Sequence, residues 1–235
     1  MFVMKNIIYN ITLFFAASLL LASCAQTPES DQAATGEAQE AAATSGTAYN
    51  VDLAASTLEW IGAKVSARHS GTLALKSGSL TVDGDNLTGG SFVIDMNSLT
   101  VTGPEGTDPG MNANLQGHLM SPDFFDVPTY PEAVFEITGV TVTTDTITET
   151  DDPVQTEVNR YKVTNPTHRI SGNLTLKDQT KNIEFPAKVS ITNGTVEAMA
   201  KFTIDRTNWG ITYPGKADDL IRNEVYIGLA LKANQ

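Results

Sequence analysis

N-A-N-L-Q-G-H-L-M-S-P-D-F-F-D-V-P-T-Y-P-E-A-V-F, residues 112–135, contains the one helix-forming stretch in a chain that otherwise alternates as strands beyond residue 48. Leu115 and Leu119 lie four apart and so share a helical face. Asn112 or Asn114 is suited to cap the helix, and Pro122 ends it within about one turn. The Gly-, Pro- and Asp-rich run from Val101 to Met111 reads as a loop leading into it. Phe124 and Phe125 follow at once, then turn-formers, then a strand from about Ala133. A short helix tipped with two aromatics and set between hairpins reads as a plug for one end of a barrel.

Working outward, the period is two and turn signals recur at barrel or sandwich spacing. Leu58, Trp60 and Gly62 share the first strand's face. Leu73 and Leu75, then Leu80 and Val82, lie on a second strand whose register shifts around Gly78, the expected place for a bulge. Phe92, Ile94 and Met96 define the third inner face, and Ala133, Phe135 and Ile137 the fourth. In the fifth strand His168, Ile170, Gly172, Leu174 and Leu176 face one way. The sixth carries Ile183, Phe185, Ala187, Val189 and Ile191, with Pro186 marking a bulge or local edge. Asn193-Gly194 is the strongest hairpin turn. Val196, Ala198, Ala200, Phe202 and Ile204 face inward from the seventh strand, and Val225, Ile227, Leu229 and Leu231 from the eighth. The fold class is all-β: an eight-stranded antiparallel barrel with one short plug helix between its third and fourth strands. A two-sheet sandwich would show much the same alternation. Eight strands is also the size at which a barrel either fills with side chains or holds one small ligand, and periodicity does not choose between them.

The chain of 235 residues does not commit its ends to the domain. Residues 1–23 have one cation, Lys5, then an apolar run ending in small residues, the pattern of a signal peptide. Leu21-Ala22-Ser23-Cys24 resembles the lipobox of bacterial lipoproteins, which marks Cys24 for lipidation; an ordinary secretory signal is the alternative. Cys24 is the sole cysteine, which excludes an internal disulfide and a cysteine-based metal site. Residues 24–48 lack any large apolar side chain and read as a flexible tether. Residues 49–235 then form the barrel domain. The formal charge of −12 becomes −13 without Lys5, and Glu29, Asp31, Glu37 and Glu40 leave −9 on the barrel. No basic run occurs, which argues against nucleic acid and against electrostatic docking on anionic lipid.

The stretch G-H-L-M-S-P-D-F-F-D-V-P-T-Y-P-E-A-V-F (117–135) resembles the signature of the YceI-like, polyisoprenoid-binding proteins of the bacterial periplasm. R-H-S-G-T (68–72), G-G-S-F-V-I-D-M (89–96), T-H-R-I-S-G-N-L-T-L-K (167–177) and F-T-I-D-R-T-N-W (202–209) agree, in order, across about Tyr49 to Lys232. The resemblance implies a lipocalin-like barrel enclosing a long apolar channel for an isoprenoid chain, as in quinones or polyprenyl phosphates. Two departures touch the mouth of such a channel: the short segment Tyr213–Val225 and an acidic excursion at 145–159.

Positive signs of catalysis are absent from the sequence. It has no G-x-S-x-G elbow, and His69, His118 and His168 lie in separate blocks without metal-ligand spacing. The reading is therefore a non-enzymatic carrier or buffer with no cofactor beyond a bound isoprenoid lipid, tethered to a membrane in the cell envelope. The competing reading is an anchored interaction or scaffold barrel with a filled core. In a hollow barrel the ligand contacts are Trp60, Phe92, Ile94, Leu115, Leu119, Phe124, Phe125, Phe135, Ile137, Leu174, Phe202, Ile204 and Trp209. In a filled one these are ordinary core or rim residues. His168 is read either as a rim histidine bonded to backbone or as a headgroup contact. His118 and Asp123 are assigned to shaping the S-P-D turn. Arg206 shares the inward parity of Phe202 and Ile204 and must find a partner there: Asp95, Asp123 or a ligand headgroup. Gly62, Gly172, Ala187, Ala198 and Ala200 are small inward residues consistent with interior space or with close packing.

Overall fold

A computed structural model describes residues 26–104, 107–144 and 160–235. Its strands in chain order are β1 Asp31–Gln32, β2 Ala34–Glu37, β3 Thr47–Val51, β4 Thr57–Lys64, β5 Arg68–Asp83 and β6 Asn86–Asp95. Helix α1, Pro109–Met120, follows. After it come β7 Glu132–Val142, β8 His168–Leu176, β9 Gln179–Thr192, β10 Thr195–Asp205, β11 Gly215–Lys216 and β12 Asp219–Asn234. Consecutive antiparallel pairing from β4 through β10, with β12 bonded to both β10 and β4, closes an eight-stranded barrel. The inward parities are those of the alternating pattern, because one apolar face per strand leaves a single register that buries it. Asn193 and Gly194 take φ of 51° and 74°, as a tight β9–β10 hairpin requires.

One end of the barrel is solid. Leu80, Val82, Leu87, Val189, Val196, Leu231 and Ala233 pack there as a continuous buried cluster, closed off by β3 between β5 and β12. The other end carries α1, the 64–67 turn and the 206–222 segment. The helix starts earlier than a cap at Asn112 or Asn114 would place it. Asp108 is its N-cap, accepting from the Gly110 and Met111 amides, with Pro109 in the first turn. The β5 irregularity falls between Leu75 and Ser77 and again between Thr81 and Val82, whereas Gly78 pairs regularly with Phe92. Gly172 leaves no free space, since a Cβ there would stand 2.2 Å from the Phe135 ring. Ala187 and Ala200 are likewise packed into the core.

Composition predicts a flexible tether over residues 24–48, but from Gln26 onward the structure lays this segment along the barrel wall. Cys24 itself lies outside the described residues, as does the acidic excursion at 145–159. The reason for the docking is a seam. β9 and β10 pair only over Ala187–Thr192 and Thr195–Ala200, then diverge toward the open end. Ala187 turns its carbonyl to Thr167 on the β8 side, so by strand alternation Pro186 presents its hydrogen-free nitrogen to the seam. The split leaves backbone groups of both strands without partners. β1 supplies them to β10 in parallel, and β2 to β9 in antiparallel. Ala33, between the two, donates its amide to Thr203 and is buried in the core. Beyond the seam, Gln39 exchanges hydrogen bonds with the Asn173 side chain, and the Ala42 amide reaches the carbonyl of Ile137 at the β7 bulge. Backbone pairing, not apolar burial, fastens the belt.

Ala33→Asp should therefore bury an unpaired charge in the seam and lower stability by roughly 2–4 kcal/mol. Ala34→Asp, on the exposed side, should change it by no more than about 0.5 kcal/mol. Urea midpoints of the two variants test this.

Candidate functional site

The half of the barrel near α1 is hollow. A cavity of about 440 Å³, within the size range of small-molecule sites, is walled almost wholly by apolar side chains. β4 contributes Leu58 and Trp60, whose indole is held by donation to the Thr100 carbonyl at 3.2 Å. Phe92, Phe135, Phe185 and Phe202 form a continuous band of rings, with centroid separations of 5.2, 5.7 and 4.1 Å in that order. These contacts fix the rings against one another, so the band keeps its shape without a ligand. Leu115 and Leu119 of α1 cover the open end and are only half-buried because their inner side faces the cavity.

The structure brings Trp60, Phe92, Ile94, Leu115, Leu119, Phe124, Phe125, Phe135, Leu174, Phe202, Ile204 and Arg206 to this cavity. Ile137, His168 and Trp209 are not among its wall. Ile137 lies one inward position deeper than Phe135, in the packed core. His168 begins β8 at the solid end, where its Nδ1 bonds Thr167 Oγ1 at 2.8 Å and burial lowers its pKa. Trp209 is fully buried and donates its indole N–H to the Leu174 carbonyl at 2.9 Å, bracing the end of β10 against β8. Wall residues outside the expected set include Leu58, Phe185, Ile227 and Leu229, all discoverable from the same strand parity, and Tyr213, which no periodic pattern marks.

The mouth is polar and ordered. His118 Nε2 meets Asp123 Oδ2 at 3.0 Å, and its ring stands edge-on to Phe124 and Tyr213 at 5.0 and 4.9 Å. The pair spans the S-P-D turn, whose Ser121 carbonyl accepts the Phe124 and Asp126 amides. Arg206 pairs with neither Asp95 nor Asp123. It is buried and donates to the carbonyls of Arg222 at 3.1 Å, Tyr213 at 2.9 Å and Ile211. A guanidinium's divergent donors satisfy three carbonyls on two chain segments, the 211–213 loop and β12, at once, and burial lowers its pKa. Lys64 bridges Asp219, which also accepts from the Ser66 amide and hydroxyl. The Lys64 hydrogen bond, assisted by Ser66, pulls the Asp219 pKa down to about 2. His69 is held low by burial and by Lys64. His69 Nδ1 and Arg222 Nε are buried at the mouth with no hydrogen-bond partner. His168, at the solid end of β8, thus stands apart from His69 on β5 and His118 on α1, which both line the cavity. Among the described residues no group of three or more His, Cys, Asp or Glu side chains converges.

A closed wall, a solid base, an apolar hollow and a polar mouth at one end define a barrel shaped to enclose part of an apolar molecule. The chain belongs to the YceI-like domain family, whose model matches residues 49–233. No curated protein sequence matches it. Among solved structures it is similar to BcnA of Burkholderia cenocepacia, at 20% identity over 78% of this chain and 99% of that one, with a TM-score of 0.55. It is also similar to a polyisoprenoid binding domain from Saccharophagus degradans implicated in plant cell wall breakdown, at 17% identity over 79% and 97% of the two chains, with a TM-score of 0.53. At these identities the likeness is one of fold.

Arg206→Met should leave three carbonyls without their donor and cost about 2–4 kcal/mol in urea unfolding, with Arg206→Lys recovering only part. For Asp219 the folded pKa lies below the ordinary 3.8. Its stabilisation is therefore present above about pH 4 and lost as pH falls toward 2. Acid titration followed by circular dichroism should show a shallower loss for Asp219→Asn than for the parent.

Proposed function

We propose that this protein binds an isoprenoid-type lipid and carries or sequesters it in the bacterial periplasm without catalysis, anchored by a lipid on Cys24. The single observation that carries the reading is the apolar cavity of about 440 Å³ in the open half of the barrel. A filled-core scaffold needs no such void, so this favours the binder over the interaction protein. Each buried CH₂ contributes roughly 0.8 kcal/mol, so a modest length of polyprenyl chain offsets the cost of ordering it. The tail supplies affinity, and the mouth supplies orientation through polar groups such as His69 and Arg222. Family membership and the shared fold of the polyisoprenoid-binding domain support the ligand class. The signal-like residues 1–23 and the lipobox at Leu21–Cys24 support export and anchoring.

Mass spectrometry of protein purified from its own envelope tests both parts. Co-purified isoprenoid lipid and an acylated Cys24 peptide are expected. Lipid-free protein that also fails to take up a fluorescent isoprenoid analogue would sink the binding reading, and an unmodified Cys24 the anchoring one. Gly62 faces the cavity with only Trp60 within 4 Å, at 3.8 Å. Gly62→Phe should then weaken analogue uptake by about tenfold or more, equivalent to ~1.4 kcal/mol, with the urea midpoint little changed.

A further inference from the structure

We infer that the open end of the barrel is a membrane-docking face, with the bilayer surface itself as its partner. The inference rests on the proposed lipidation of Cys24 and concerns where that anchor holds the molecule. The N-terminal belt begins at the mouth. Arg68 donates through Nε to the Gln26 carbonyl at 2.8 Å and through Nη2 to the same oxygen, and Thr27 Oγ1 donates to the Glu224 carbonyl at 3.1 Å. Arg68 starts β5 beside His69, and Glu224 lies between the cavity-lining residues Arg222 and Val225. Pro28, next along, is buried. Cys24 stands two residues before Gln26 in the sequence, and two peptide units span at most about 8 Å. An acyl chain at Cys24 therefore brings the open end, not the solid end, to the lipid surface.

The rim at that end suits the contact. Met111 on α1 and Leu220 on β12 are 64% and 49% exposed, although both are large and apolar; Val142, beside His168 at the solid end, is exposed as well, so the position of the anchor and not apolar exposure alone selects the open end. Lys216 and Arg222 line the same mouth, where long cationic side chains reach headgroups while their stems lie on apolar surface; Lys64 and Arg68 are held there by Asp219 and the Gln26 carbonyl. Asp108, Asp123, Asp218 and Asp219 occupy the same end and offset those cations. Apolar insertion, rather than net charge, carries the docking, and zwitterionic lipid suffices. A ligand resident in the bilayer then meets the cavity entrance without crossing water, while the solid end points away.

The chain from residue 24 onward, coupled through Cys24 to a maleimide lipid in phosphatidylcholine vesicles, tests this. Leu220→Trp places a reporter on the rim, Met111→Trp a second, and Asn193→Trp a control in the solid-end hairpin. Brominated acyl chains should quench the added rim fluorescence at least about twofold more than that at Asn193, with little change on adding salt. Quenching equal at the two ends, or absent at both rim positions, would overturn the inference. Uptake of an isoprenoid analogue by uncoupled protein in solution separates the two readings: rim quenching without uptake leaves the docking face and removes the lipid carrier.

Discussion

The wall of a hollow barrel must be held by its own backbone hydrogen bonds, because the space inside supplies no packing for the residues that face it. Leaving such space costs stability in proportion to its volume. The chain concentrates conventional packing at the solid end, around Leu80, Val196 and Ala233. Toward the open end it relies on ladder closure between β4 and β12. Closure is incomplete where β9 and β10 part, beside Ile183, Phe185, Phe202 and Ile204, four residues of the cavity wall. The two short strands of the belt fill that breach, so the integrity of the cavity depends on a segment without a large apolar side chain.

The mouth follows the same economy. Arg206 serves as a tie between β10, the 211–213 loop and β12, using carbonyls that the irregular backbone leaves unpaired. The His118–Asp123 pair shapes the aromatic turn below it, and Lys64–Asp219 fastens the end of β4 to the start of β12. Polar side chains at this end hold loops in place where a closed barrel would use hydrophobic contacts. Two of their neighbours, His69 Nδ1 and Arg222 Nε, retain unused hydrogen-bonding capacity next to the apolar hollow.

Much of the fold was legible because period-two alternation encodes face and register together. Trp60, Phe92, Phe135, Leu174, Phe202 and Ile204 reach the cavity for that reason, and Asn193-Gly194 makes the turn its residues demand. Depth along a strand is not encoded the same way: Ile137 and His168 have the inward parity of Phe135 and Leu174 but sit beyond the hollow. Trp209 lies in a short 3₁₀ turn, where strand parity has no meaning. The belt was illegible because its partners are gaps between strands some 150 residues later, and backbone pairing leaves no side-chain signature. Arg206 had the same character, since carbonyl acceptors do not appear in a residue pattern. Asp108-Pro109 was a helix start in plain view, masked by the glycines and prolines around it.

The belt also sets an order of events. Thr27 reaches Glu224, a separation of 197 residues, and β1 and β2 rest on strands made near the end of synthesis. The first part of the domain to leave the ribosome is thus the last able to find its place. Contacts this distant in sequence slow folding, and here they postpone sealing of the β9–β10 seam until both of those strands have been made. The nascent barrel passes through an interval with one flank unzipped, in which Ile183, Phe185 and Phe202 stand near an open edge.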